Sequence, residues 1–404
     1  MRTLTAFAPR PTKAPANSKP ASADARAFVR VETFGRCEAA REAWNEIERT
    51  ASASAYQGFD FARLWSETIG ASRGQAPLIV VAHDEAGRVT ALLPLVRFSA
   101  GPLRLAAFLG GKDANFGMGL FRSGVDWSPK DVGALLDAAA RSVTPPVDAL
   151  LLANQPRKWE GAPNPMVGED AQRSPSDAFK TALPSEFAVW RDAHASKDAQ
   201  KKLRKKANRL TASGVLAHRR AADADDAARI LEAFHEQRSA RVRALGISDP
   251  YDPPAARAFL DSLANTGLAE GAPRLELHAL LVGSRIVATF GAVCAGDRMS
   301  GLFLSHDADP EIARSSPGEL IVHEIVRDAI ARGFRTLDLG VGESRYKSQA
   351  CEAADDLFDA AHAATRLGGI AAFGFLAKQR LKRRIKQSPR WLEYARRLRK
   401  ALSR

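Results

Sequence analysis

Cysteine is scarce in this chain of 404 residues: Cys37, Cys294 and Cys351 stand far apart and form no C-x-x-C pair. An odd, scattered set builds neither a disulfide framework nor a cysteine zinc site, and it fits a reducing, cytoplasmic setting. Cys294 falls inside an apolar run, where a thiol acts as a small hydrophobe. The eight histidines are equally dispersed, with no H-x-x-x-H or H-E-x-x-H, so no metal is expected. No Ser-His-Asp or Cys-His spacing points to covalent catalysis. Long apolar runs are missing too. The longest, Leu367–Ala377, is broken by glycine and falls short of the roughly 18–20 residues of a membrane span. Residues 1–27 are rich in Ala, Pro, Ser, Lys and Arg without an apolar h-region. They read as a disordered leader rather than a signal peptide.

What is present suffices for two domains, each with its own core. The formal net charge of +13 is unevenly placed. Lys378–Arg404 holds twelve Lys/Arg against one acid, +11 of the total, which leaves the other 377 residues almost neutral. Such asymmetry marks an accessory tail.

The densest pattern runs from Ala313 to Gln349. Pro317 and Gly318 open a helix, where the first N–H groups have no intrahelical partner and proline is tolerated. Ile321, Val322, Ile325, Val326, Ala329 and Ile330 recur at helical spacing, and Gly333 ends the helix. Thr336–Leu339 follows as a short buried strand, then a Gly-rich turn presenting Tyr346 and Lys347. The helix start aims free N–H groups and a positive dipole end at an anion, and Arg314 lies beside it. Upstream, Leu275–Val282, Ile286–Ala295 and Met299–Ser305 are apolar runs joined by Gly283-Ser284 and Gly296-Asp297, the signature of a three-strand meander.

Meander, loop, anion-facing helix and strand, in that order, resemble the GNAT acyltransferases. Ser316-Pro317-Gly318, Gly333, Asp338, Gly340 and Tyr346-Lys347 more specifically resemble the cellulose-biosynthesis (CelD/BcsL-like) acetyltransferase family, itself related to the Fem aminoacyl transferases. The resemblance implies an α/β (α+β) fold of two tandem GNAT-like domains, each a mixed twisted sheet flanked by helices. It also implies acetyl-CoA or another acyl-CoA as cosubstrate, held by Arg314, Ser316, Gly318 and the strand end Phe303, Leu304 and Ser305. Arg314–Glu319 keeps only part of the usual Arg/Gln-x-x-Gly-x-Gly/Ala loop, so aminoacyl-tRNA, the donor of Fem relatives, stays open as an alternative.

The first half repeats the order of elements without repeating residues, as a tandem duplication would. The expected organisation is a leader 1–27, a first domain 28–154, a Pro/Gly-rich linker 155–176, a second domain 177–365 and a basic amphipathic tail 366–404. In the first half, Gln57-Gly58-Phe59 reads as core packing, and Asp113–Gly119 as either a hairpin turn or a loop facing the cleft. Ser196–Ser213 sets Leu203, Ala207 and Leu210 on one stripe amid Lys201, Lys202, Arg204, Lys205, Lys206 and Arg209. It is a solvated helix face or a dock for an anionic acceptor.

Acyl transfer needs a base for the acceptor proton, a stabilised oxyanion and an acid for the leaving group. His306, Asp307, Glu319, His323, Asp338, Glu343 and Tyr346 are the available acids and bases. Asp338, Tyr346 and Lys347 are the first choices as catalytic residues, Asp338 being either a buried base or the cap of the next turn. The basic tail interleaves Leu381, Ile385, Trp391, Leu392, Tyr394, Leu398 and Leu402 with its cations and is broken by Pro389. Two short helices on an anionic membrane, a nucleic-acid arm and a solubilising tail all fit. The expected function is transfer of an acetyl or similar group from acyl-CoA to a sugar or amine of a polysaccharide or cell-envelope precursor, at the inner face of the cytoplasmic membrane. The alternatives are a Fem-like aminoacyl transferase and a GNAT-fold binding protein without catalysis.

Overall fold

A computed structural model describes residues 26–169, 171–246 and 249–388. Most of the expected leader and the stretch 389–404 of the tail therefore lie outside the described residues. The chain opens with strand β1 (Arg30–Phe34), helices α1 (Arg41–Glu48) and α2 (Phe59–Trp65), and the meander β2 (Ala76–His83), β3 (Val89–Ala100), β4 (Leu103–Phe108). A short β5 (Leu120–Phe121) pairs with β3. Helix α3 (Pro129–Arg141), started by a Ser128/Asp131 capping box, then crosses to β6 (Ala149–Pro156), which runs parallel to β4.

The connection holds a small hairpin, β7 (Lys158–Trp159) and β8 (Ala162–Pro163), then β9 (Gln172–Arg173), β10 (Ala178–Ala182), α4 (Phe187–His194) and α5 (Lys197–Thr211). The second half repeats the plan: β11 (Leu216–Arg220), α6 (Ala224–Leu245), α7 (Pro254–Asn265), and the meander β12 (Glu276–Val282), β13 (Arg285–Ala295), β14 (Arg298–His306). A single turn α8 (Pro310–Ala313) and helix α9 (Pro317–Ala331) lead to β15 (Thr336–Val341), parallel to β14. The chain closes with α10 (Arg345–Ala350), β16 (Ala353–Asp355), β17 (Leu357–Ala363) and α11 (Arg366–Gln387). Both halves thus read β-α-α-β-β-β-α-β, the tandem GNAT-like architecture.

The sheets do not respect the expected boundaries. β17, inside the expected second domain, pairs with β6 of the first sheet, while β10 pairs with β15 of the second. The strand that trails each half completes the sheet of the other. Residues 155–176 are accordingly no free linker: Gln155 and Ser174 are fully buried and β9 pairs with β17. Nor is 366–387 a loose tail. It is one continuous helix whose Gly368 lies so near the Asp148 carbonyl that a Cβ would come within 1.7 Å.

Among the described residues, three apolar clusters hold the fold together. One fills the space under α3 on the first sheet, and another packs α9 on the second. The third joins the halves through α2 and α7, where Phe61 meets Phe259 edge to face at 5.2 Å. Each such buried aromatic contributes about 1.5–3 kcal/mol by leaving water, so the halves form one packed body.

Candidate active site

The parallel ladder between β14 and β15 is short. Arg298 pairs with Thr336, Met299 with Leu337 and Ser300 with Asp338, and there the pairing ends although both strands continue. A bulge at Leu302 in β14, seen as the shift from Gly291↔Phe303 to Ala292↔Gly301, turns the strand away. Beyond that point the two strands no longer pair with each other, and the first half reaches into the splay.

Asn115 is the residue that does so. Its Nδ2 donates to the Gly301 carbonyl at 2.9 Å and to the Tyr56 hydroxyl at 2.6 Å, and its Oδ1 accepts from the Val341 amide at 3.3 Å. Tyr56 also donates to the Gly301 carbonyl at 3.3 Å. Gly340, at φ +81°, leaves the room that Asn115 takes. The loop bearing Asn115 is pinned on both sides. Trp65 Nε1 donates to Asp113 at 2.9 Å, and Gln57 Nε2 donates to the Phe116 carbonyl at 2.9 Å. Of the two readings of Asp113–Gly119, the cleft-facing loop is the observed one. Gln57 does more than pack: it is a buried polar post for this loop. Neither Asn115 nor Tyr56 stood out in the sequence; the Gly-rich stretch Asp113–Gly119 was the only signal.

Asp338 lies at the mouth of the splay and is 1% exposed. Leu337 and Leu339 join the cluster under α9, while the carboxylate turns to Arg298, whose Nη1 is 3.7 Å away, and accepts from the Gly340 amide at 2.6 Å. Burial raises its pKa to about 6 against the hydrogen bond and the cations. Lys347 is nearly as buried; its Nζ donates to the Val341 carbonyl at 3.0 Å, and burial lowers its pKa to about 8. Tyr346 on α10 is pushed up to about 12 by burial. It lines a small pocket of about 80 Å³ with Leu203, Glu319 and His323. His323, lowered to about 4 by burial, is neutral at pH 7 and meets Phe187 and Trp190 edge to face. The structure therefore brings Asp338 and Lys347 together at the splay and sets Tyr346 on its α9 side.

The expected donor residues divide. Phe303 stacks on Phe234 at 3.9 Å and Ser305 bonds Thr289 and Gln237, both at 2.7 Å. Those side chains serve the α6 face, so what the strand end offers the cleft is backbone. Leu304 lies against Gly318, where a Cβ would come 3.3 Å from its Cδ2. Ser316 takes a left-handed φ of 50° at the start of α9. The amides of Ser315, Ser316 and Glu319 already donate to carbonyls of this corner. The Ser315 hydroxyl is buried and has no hydrogen-bond partner among the described residues. Arg314 is exposed and pairs with Glu311 at 2.8 Å. Helix α5 borders this corner: Lys206 pairs with Glu319 and Arg209 donates to the Arg314 carbonyl at 3.3 Å. No cluster of metal ligands occurs among the described residues.

Residues 197–348 match a protein-family profile described as an acetyltransferase (GNAT) domain. The match runs from α5 to α10. Its whole fold is similar to the C-terminal domain of a lysylphosphatidylglycerol synthetase from Agrobacterium fabrum, with a TM-score of 0.51 at 12% identity, covering 84% of this chain and 96% of that one. It is also similar to FemX, at 0.53 and 12% over 81% and 96%. A protein of unknown function from Bacteroides thetaiotaomicron scores 0.51 at 11% over 82% and 99%. At such identities the likeness concerns the fold alone. No curated protein matches the chain. The matched segment spans every residue of the splay except those the first half inserts.

Proposed function

We propose that the GNAT domain moves an acetyl or similar acyl group from acyl-CoA to an amine or hydroxyl of a polysaccharide or cell-envelope precursor. The observation that carries this reading is the splay between β14 and β15, where the two strands stop pairing with each other beside the start of α9. The pantetheine arm would lie along the β14 wall, and the diphosphate would meet the α9 corner, where the unpartnered Ser315 hydroxyl, Lys206, Arg209 and Arg314 supply donors and charge.

The acceptor's lone pair attacks the thioester carbonyl, the C–S bond breaks, and the acceptor's proton must leave. Asp338, ionised above about pH 6, takes that proton, directly or through one water. Tyr346, protonated at neutral pH, gives a proton to the departing thiolate. Lys347 keeps a positive charge beside Asp338 that favours its ionised form. A polysaccharide-precursor acceptor rests on the resemblance of Ser316–Gly318, Asp338, Gly340 and Tyr346-Lys347 to the CelD/BcsL-like family, and it sets the reaction in the cytoplasm.

A second reading, an aminoacyl-tRNA donor, draws support from α5. Lys201, Lys202, Arg204, Lys205 and Arg209 are exposed along a helix that borders the α9 corner, more cations than one diphosphate needs. Calorimetry of the protein with acetyl-CoA separates the two. Binding that Gly318→Asp weakens supports acyl-CoA. Absence of binding by any coenzyme A species at millimolar concentration overturns that donor and leaves the tRNA reading.

A further inference from the structure

The outward face of α11 is unlike the rest of the surface. Four of the eight large apolar side chains exposed among the described residues lie on this one helix: Leu367, Ile370, Phe373 and Leu381. Ile370 is 70% and Phe373 74% exposed. At 100° per residue they form a single stripe with Gly374 and Ala377. The stripe lies opposite the buried Gly368, Ala372 and Gln379, which seat the helix on β17 and β6. Arg380 flanks it on one side and Lys378 on the other, and Arg366 and Arg384 continue its line at the two ends. The helix contains seven Lys/Arg and no acid.

The helix cannot roll to hide the stripe. Gln379 Nε2 donates to Asp359 at 2.9 Å, Arg383 Nη1 to the Ser174 carbonyl at 2.6 Å, and the Leu376 carbonyl accepts from Gln172 at 2.9 Å. We infer that this face lies in the plane of an anionic lipid bilayer, with Ile370, Phe373 and Leu381 in the acyl boundary and the flanking cations at the headgroups.

Charge decides between occupants. A nucleic acid would satisfy the cations and leave the apolar stripe wet. A second copy would bring the four cations along the stripe, Arg366, Lys378, Arg380 and Arg384, against four like charges. The two terminal segments outside the described residues are cationic as well: 389–404 has six Lys/Arg to one acid, and 1–25 has four to one. Like charge opposes their covering it. An anionic bilayer meets both the apolar and the cationic parts. No described helix is long and apolar enough to cross a membrane, so the contact is lateral. This inference does not depend on the acyl donor or acceptor.

The test is co-sedimentation of the full chain with vesicles of phosphatidylglycerol and phosphatidylcholine, and with phosphatidylcholine alone. Wild type should bind the mixed vesicles and leave the neutral ones. The double variant Ile370→Glu/Phe373→Glu should melt like wild type, both side chains being exposed, and lose at least about tenfold in vesicle affinity. Leu381→Glu should weaken binding in the same direction. Wild-type affinity in these variants overturns the inference, even if deleting 389–404 then abolishes binding. Equal binding to neutral vesicles overturns it also. So does a wild-type dimer that Phe373→Glu converts to monomer, since a second copy would then own the stripe.

Discussion

Asn115 and Gly340 fit each other across the two halves: a Cβ on Gly340 would lie 2.5 Å from Asn115 Nδ2. The wedge that ends the β14–β15 ladder belongs to one half and the space for it to the other, so the site is defined only when both are folded together. Asn115→Ala strips partners from the Gly301 carbonyl, the Val341 amide and Tyr56, and should cost about 1–3 kcal/mol in urea unfolding. Gly340→Ala should cost more in wild type than in the Asn115→Ala background, where only the positive φ opposes it. A coupling of at least about 1 kcal/mol is expected; additive costs would show that the two do not compete for space.

Asp338, as the proposed base, should make stability and rate move oppositely with pH. Its folded pKa of about 6 exceeds the ordinary 3.8, so the native state holds the proton more tightly than the unfolded chain. Stability from this group is therefore full below about pH 4 and falls as pH rises to about 6, by about 3 kcal/mol. Asp338→Asn should abolish that slope and melt higher than wild type at pH 7, while turnover drops. A wild type equally stable at both ends of the window would mean that the carboxyl is not held in this buried state.

The rate itself should be bell-shaped. It should rise as Asp338 ionises near 6 and fall as Lys347 loses its charge near 8. Lys347→Ala should remove the alkaline limb from kcat/KM, measured on an identified acceptor. An alkaline limb that persists would assign it to another group.

At the α9 corner, Lys206→Ala and Arg314→Ala should each weaken acetyl-CoA binding about threefold to tenfold at low ionic strength, with smaller effects in high salt. Calorimetry at two salt concentrations reads both. Salt-independent losses would point to packing rather than charge.

Much of this was legible in the chain. Helix 317–331 and strand 336–341 announce themselves through Pro-Gly, a 3.6-residue period and Gly333, all local signals. Partnership was not. The stretch Leu357–Ala363 carries no mark that its neighbour is β6, about two hundred residues back, and Asn115 gives no sign of Val341. Helix α11 misleads for a physical reason. It buries Gly368, Ala372 and Gln379 and exposes Ile370 and Phe373, so its inner face reads as filler and its outer face as core.

Asp359 on β17 is the test of the exchanged strand. Buried, it accepts from the Asn154 amide at 3.0 Å, from Gln379 at 2.9 Å and from the Ser174 hydroxyl, linking β6, α11 and the 155–176 connection. Asp359→Ala should cost about 3 kcal/mol or more in urea, since several buried donors lose their acceptor together.

The exchange of trailing strands also sets an order of events during synthesis. The edge of β6 stays open until β17 has left the ribosome, and β10 waits for β15 in turn. A half-made chain presents an unpaired hydrophobic edge, Ala149–Leu152, for the whole time that the second half is being translated. Folding is then bound to the finished chain rather than to successive modules, with long loops to close before the last contacts repay them. A protease cut between the halves would not release two particles, because each would still hold a strand of the other.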